Sequence, residues 1–221
     1  MEKNDFVRIE YIGRIKETGE LFDTTSEEVA KKEGAFNPNV KYGPAPVIVG
    51  RNKIIKGVDD ALLSMKVGDK KTIEIEPERG FGKRKPELIK LVPVSEFKKQ
   101  NINPVPGMPI TMNNIRGRIL SVNSGRVKMD FNHPLSGKNL IYEIEVKEKI
   151  DDKKGKVKAI CDYYKCDVSS VEFKENCVEI FLKKDAEKNK KQLITNDVSE
   201  YLNANKVVFS EIFEPLKKTE K

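Results

Sequence analysis

The chain has 221 residues, enough for two or three small domains, and its 38% apolar content can supply their cores. No apolar run of roughly 18 residues occurs, and the N-terminus has neither an apolar stretch nor a cleavage site. Neither a membrane span nor a secretory leader is therefore expected, and a cytoplasmic location is. Residues 83–131 carry ten basic and three acidic side chains, which accounts for the whole net charge of +7.

Residues 5–15 alternate apolar and polar side chains, the pattern of a half-buried strand. A turn signal at 17–20 precedes a second extended piece, 21–25. Residues 26–45 are polar and rich in Gly and Pro, and read as a long loop. Residues 47–50 form a short apolar strand. Over 57–65, Val58, Leu62 and Met65 fall on one helical face, with Gly68 in the usual C-terminal stop position. Residues 71–76 alternate again, and 77–82 read as a loop. After a break, 139–147 alternate and supply a last strand. Four or five strands and one short helix make an α+β pattern.

The break itself has a different composition. Ser95 can cap a short turn carrying Phe97, and Pro104, Pro106 and Pro109 bar a long helix. Residues 115–122 and 126–131 flank Asn123-Ser124-Gly125, a hairpin signal. This gives a small, mainly-β domain inserted into the first.

Residues 151–155 read as a charged linker. Val157, Ile160, Cys161 and Tyr164 have helical spacing. Residues 171–173 and 177–182 read as strands joined by a Lys-Glu-Asn turn, residues from Ala186 to Leu202 as a helix, and 206–213 as a final strand. The third domain thus has the order α-β-β-α-β. Cys161, Cys166 and Cys177 match no zinc spacing and read as reduced, buried thiols, with a disulfide between two of them as the alternative.

The words Tyr11-Ile12-Gly13, Phe22-Asp23, Val49-Gly50, Ile54-Ile55-Lys56-Gly57, Gly68-Asp69 and Phe81-Gly82 are each weak, but their order and spacing are specific. With the run from Asn132 to Leu140, which looks like an Asn-His-Pro-Leu-Ala-Gly-Lys-x-Leu signature, the chain resembles the FKBP-type peptidyl-prolyl isomerases. The interruption is similar to the insert-in-flap chaperone domain of SlyD-like and archaeal long-type members. The resemblance implies an isomerase domain at 1–82 and 132–150, a chaperone insert at 83–131, and a C-terminal α/β domain at 151–221. It also implies a pocket in which Tyr11, Phe22, Asp23, Ile55, Phe81 and Tyr142 act on the prolyl bond. Val47, Ile54, Val58 and Leu135 would bind substrate. The Ile55 N–H would hold a substrate carbonyl, and Asp23 would be a buried acceptor for the Tyr11 hydroxyl. Val58 stands where many members have Trp, which should weaken binding of large macrolides.

Prolyl isomerisation breaks no covalent bond and needs no proton shuttle, so no cofactor and no metal is expected. The chain lacks the His/Cys-rich tail of bacterial SlyD proteins, and His133 is its one histidine. Three of the four non-initiator methionines lie in the insert, and Met-rich surfaces repack around different partners. Met108, Ile110, Met112, Ile115, Leu120 and Met129 are accordingly expected to bind unfolded, proline-containing chains. A homodimer through residues 155–215 is expected as well. The alternatives are a non-enzymatic holdase, or a basic RNA- or ribosome-associated adaptor. Nucleic acid is not expected as a partner, because Phe97 and Phe131 are the only aromatics available for stacking in the insert.

Overall fold

The computed structural model describes residues 1–112, 115–175 and 177–211. The chain first forms β1 (Phe6–Ile15), β2 (Leu21–Thr24), α1 (Glu27–Lys32), β3 (Ala45–Ile48), α2 (Lys56–Leu62) and β4 (Lys70–Ile75). Next come β5 (Ile89–Pro93), α3 (Val94–Lys98), β6 (Pro109–Met112), β7 (Ile115–Asn123) and β8 (Arg126–Asp130). Last are β9 (Leu140–Ile150), α4 (Lys153–Tyr163), β10 (Val168–Lys174), β11 (Cys177–Leu182), α5 (Lys188–Leu202) and β12 (Lys206–Glu211). The class is α+β, as expected. Two compact units divide the chain: Met1–Glu74 with Ile141 onward, and Ile75–Leu140.

In the first unit the sheet runs β2-β1-β9-β4, and β3 also pairs with β1. One edge of β1 takes two partners in succession. Phe6 to Ile9 pair with Ile48 to Ala45, and Ile12 and Gly13 pair with Thr24 and Asp23. Alternation decides the two faces of β1. Val7, Ile9 and Ile15 are buried on one. Phe6, on the other, joins Ile48 and Ile150 in a core with the C-terminal residues Val157, Ile160, Val178, Ile180, Leu182, Ile194 and Val198.

That C-terminal segment has the expected α-β-β-α-β order. Its sheet runs β10-β11-β12, with β10 antiparallel and β12 parallel to β11. A parallel neighbour needs a crossover, and α5 supplies it. Residues 212 and 213 of the expected last strand, and Asn176 of the expected turn, lie outside the described residues. The three cysteines are free thiols. Burial, with Cys166 and Asp162 nearby, pushes the Cys161 thiol up to about 12, as suits a packing residue.

Three expectations of the first unit need correction. Residues 26–45 are not all loop: α1 forms there, with the Ser26 hydroxyl accepting from the Val29 N–H at 3.3 Å and Lys31 paired to Glu27. Only Ala30 of that helix is buried, so no apolar period marks it. Gly68 does not end α2, which stops at Leu62. Its φ is +88° and its N–H donates to the Val146 carbonyl at 2.8 Å, so it turns the chain into β4. Nor is 151–155 a linker, because the Asp152 carboxylate accepts from the Gly155 N–H at 2.7 Å and caps α4 directly after β9.

The second unit holds a sheet in the order β5-β8-β7-β6. Its β7–β8 hairpin turns through Ser124 and Gly125, both with positive φ (45° and 77°), as a two-residue turn requires. The core is Phe97, Ile119, Val127 and Met129. Ser95 does not cap α3. It lies inside the helix, whose N-cap position is Pro93 and has no side-chain cap. Strands β5 and β6 had no sequence signal of their own, being short and bounded by proline, Pro93 at the end of β5 and Pro109 at the start of β6.

Candidate active site and client-binding surface

Four of the expected pocket residues meet on adjacent strands of the first unit. Tyr11 projects from β1, Phe22 and Asp23 from β2, and Tyr142 from β9. The Tyr142 ring centroid is 5.7 Å from that of Tyr11 and 5.6 Å from that of Phe22, the latter nearly perpendicular at 71°. The Tyr11 hydroxyl donates to Asp23 Oδ2 at 2.8 Å. Asp23 is therefore an acceptor as expected, but an exposed one rather than a buried one, because it sits on an edge strand of the sheet. Burial, and then the Asp23 charge, push the Tyr11 phenol far above its ordinary value, and the same two causes raise Tyr142. Both hydroxyls thus stay protonated, and Tyr11 stays a fixed donor.

Two threonines that sequence reasoning passed over hold Tyr11 in place. Its N–H donates to Thr25 Oγ1 at 2.9 Å, and its carbonyl accepts from the Thr25 N–H at 3.1 Å and from the Thr24 hydroxyl at 3.1 Å. Gly13 gives the Tyr-Ile-Gly word its physical sense. A Cβ added there would lie 2.7 Å from Phe22 Cζ, so the ring lies directly on the glycine. Gly13→Ala is expected to push the Phe22 ring aside and lower kcat/KM on a proline tetrapeptide roughly ten- to hundred-fold, with little change in melting temperature. Stopped-flow peptide assays and thermal melts check this.

Val47 is buried on β3 and pairs with Val7, on the same face of β1 as Tyr11. Ile54 and Ile55 are half-buried, at the entry to α2. Ile55 has φ −57° and ψ 141°, and its carbonyl accepts from the Val58 and Asp59 N–H groups that open the helix. Val58 is fully buried in the first turn of α2, without the bulk of an indole.

Phe81 and Leu135 belong to the second unit. There the Phe81 ring stacks on His133 at 4.5 Å, and the Leu135 N–H donates to His133 Nδ1 at 3.2 Å. The signature run has a structural use in this unit. The Asn132 amide bonds both ways to the Lys85 backbone, accepting from its N–H at 2.8 Å and donating to its carbonyl at 3.0 Å. Arg84 pairs with Asp130, and the Gly137 N–H donates to the Gly82 carbonyl at 2.8 Å. The two strands of chain that enter and leave the insert are thus clasped together.

The expected client-binding residues divide. Met129 is a core residue, fully buried on β8, and this corrects its placement on the surface. Met108, Ile110 and Met112 are half-buried and pack against the same core. Ile115 (58% exposed) and Leu120 (36%) are on the surface. Leu91, which sequence reasoning missed, is 61% exposed. It pairs with Lys128 across β5–β8, and Lys128 pairs with Ser121 beside the bulge residue Leu120. The outward row of this sheet therefore carries Leu91 and Leu120 around a lysine. Phe97 is buried, which removes one of the two aromatics an RNA-stacking surface would have used.

Among the described residues, no group of three or more His, Cys, Asp or Glu side chains is placed to hold a metal ion, and no helix is long and apolar enough to cross a membrane.

Residues 90–135 match the family described as FKBP26, IF domain, the insert-in-flap domain. The chain is 37% identical over 148 residues to the short-type peptidyl-prolyl cis-trans isomerase of Methanocaldococcus jannaschii, covering 67% of this chain and 93% of that protein. It is 30% identical over 135 residues to the FKBP-type 16 kDa isomerase of Escherichia coli, covering 59% and 85%. Against the SlyD isomerase of Helicobacter pylori the identity is 32% over 116 residues, covering 50% and 62%. Aromatic residues gathered on β1, β2 and β9, an interrupting domain that matches the insert-in-flap family, and this coverage of known isomerases lead to one conclusion: the chain belongs to the FKBP-type peptidyl-prolyl cis-trans isomerases and carries an insert-in-flap domain.

Proposed function

We propose that the isomerase acts on unfolded or partly folded chains, with Tyr11, Phe22, Asp23, Ile55, Phe81 and Tyr142 handling the prolyl bond and the insert holding the client. The observation that carries the site is the Tyr11–Phe22–Tyr142 aromatic group, whose two phenols stay neutral and whose one ordered acceptor is Asp23. A planar amide resists rotation by about 18–20 kcal/mol because twisting removes its resonance. The twisted amide is less dipolar than the planar one. A site of aromatic and aliphatic walls that excludes water therefore favours it over the ground state, which is catalysis by differential binding. A fixed N–H donor from Ile55 would orient the substrate carbonyl while the prolyl ring turns.

Ile55 offers a clean test, since its φ of −57° is already that of proline. Ile55→Pro deletes the N–H with little backbone cost. It is expected to lower kcat/KM on a proline tetrapeptide roughly tenfold or more, the effect of losing one positioned hydrogen bond at about 1.4 kcal/mol per decade. Ile55→Val, which keeps the donor, is expected to stay near wild type. Equal activity in both variants would remove Ile55 N–H from the mechanism.

The exposed apolar residues Leu91, Ile115 and Leu120 support client binding, as does the Met108, Ile110 and Met112 group beneath them, which can repack. The homodimer stays part of the proposal in a narrower form. Val178, Ile180 and Leu182 are already used in the core that joins the C-terminal segment to Phe6, Ile48 and Ile150. A second copy would instead meet β10 or β12, the end strands of their sheet.

A further inference from the structure

The loop from Gly50 to Ile55 connects β3 to α2 and presents Ile54 and Ile55. From the isomerase side it is held by Asp59, whose carboxylate accepts from the Gly50 N–H at 2.7 Å and the Asn52 N–H at 2.8 Å. Asn52 sits at φ +53°, in the left-handed region, so the loop is bent tightly at that point. From the other side it is held by the C-terminal domain. The Tyr163 hydroxyl donates to the Lys53 carbonyl at 2.9 Å. Lys53 Nζ donates to the Tyr164 hydroxyl at 3.0 Å and to Asp197 Oδ2 at 2.9 Å, and Tyr164 itself donates to Asp197 at 2.7 Å. Arg51 pairs with Glu200 at 2.9 Å and lies over the Tyr201 ring at 5.2 Å.

Asp197 decides how these contacts are read. It is 7% exposed, and a buried carboxylate is unfavourable unless it is paired and hydrogen-bonded. Its cationic partner lies 144 residues earlier in the chain, in the isomerase loop. Apolar packing through Phe6, Ile48 and Ile150 could dock the domain in several registers. A part-buried ion pair, with the Tyr164 hydroxyl bonded to both partners and the Tyr163 hydroxyl bonded to the Lys53 carbonyl, admits one register. It also fixes both the backbone and the side chain of the residue immediately before Ile54.

We propose that the C-terminal domain is a positioning element of the isomerase site, with Tyr163, Tyr164 and Asp197 setting, through Lys53, the loop that presents Ile55 to substrate. This rests on the reading that Ile55 contacts the substrate. The domain then does more than attach further mass to the enzyme. Its integrity is read out at the prolyl pocket, and any partner that shifts α4 or α5 shifts activity.

The test uses the full chain, with Tyr163→Phe, Lys53→Met and Asp197→Asn, the conservative Lys53→Arg, and Ile180→Val as a variant that loosens the C-terminal core away from the loop. Ile55→Pro is measured alongside. Two quantities are followed: amide hydrogen exchange over residues 50–56, and kcat and KM on a proline tetrapeptide. If the loop occupies its binding-competent form about one-fifth as often, KM rises about fivefold while kcat barely changes. That result is expected for the first three variants, together with faster exchange confined to the loop. Lys53→Arg is expected to recover most of the effect. Ile180→Val is expected to lower the melting temperature and leave KM unchanged. The proposal is overturned if loop exchange stays at the wild-type rate in all three. It is overturned equally if exchange rises without any change in KM, or if Ile180→Val matches the loop variants. Wild-type activity in Ile55→Pro would sink the substrate reading and the proposal with it, whereas a defective Ile55→Pro beside unaffected loop variants would sink the proposal alone.

Discussion

Replacing residues 86–129 with a short flexible loop is expected to leave tetrapeptide isomerisation within about twofold of the intact protein, and to slow catalysed refolding of a proline-limited protein by roughly 10²-fold. The cut is chosen from the clasp. Arg84, Lys85, Asp130 and Asn132 all remain, so the paired strands at the neck keep their ion pair and both amide bonds. Phe81, His133 and Leu135 remain as well. A tetrapeptide is too short to use a second surface and should not notice the loss. If the insert holds unfolded chains as proposed, it raises the effective concentration of their prolines at the isomerase, and that local concentration is what the deletion removes. Matching losses in both assays would mean that the insert builds the pocket. No loss in either would mean that clients are held elsewhere.

The second large effect is expected from Phe97→Ala. Phe97 is the largest side chain in the insert core, buried against Ile119, Val127 and Met129. Truncating such a phenylalanine costs about 3–5 kcal/mol. A domain of this size has roughly 2–7 kcal/mol in all, so the substitution should melt the insert at ordinary temperatures. The isomerase sheet does not draw on that core. Calorimetry should therefore lose a low-temperature transition and keep a high one, and tetrapeptide activity should survive at 25 °C. Refolding activity should fall as it does in the deletion. A single unfolding transition shared by both units would contradict the autonomy of the insert.

Sequence periodicity exposed those parts of the fold in which a residue's neighbours in space are also its neighbours in the chain. β1, β4, β9 and the β7–β8 hairpin alternate visibly because one face of each is buried. Helix α1 has one buried residue and cannot show a period. Gly68 looked like a helix stop because glycine with positive φ serves both helix ends and sheet turns, and only the Val146 carbonyl distinguishes the two. Residues 151–155 have a linker's composition, yet charged residues also cap and open helices. The candidate site residues stood out as motif words, while the causes of those words did not. Gly13 is small because of Phe22, and Tyr11 is fixed by Thr24 and Thr25. Least legible was the C-terminal docking. Phe6 and Ile48 read as ordinary strand residues, and nothing in Lys53 or Asp197 points to a partner across so much intervening chain.

The position of β9 has a consequence for how the protein is made. In the sheet order β2-β1-β9-β4, the strand that joins β1 to β4 is the last of the set to leave a ribosome. Everything the insert needs, the β6–β7 and β7–β8 hairpins and the longer-range β5–β8 pairing alike, lies between Ile75 and Leu140 and is available once the chain is made as far as β9. Local contacts close quickly, and domains form as their residues appear. During synthesis the insert is therefore complete while the isomerase sheet still lacks its middle strand, and Lys53 waits longer still for Asp197. Each new chain acquires its inserted domain before its catalytic sheet, although β1 and β2 leave the ribosome ahead of the whole insert.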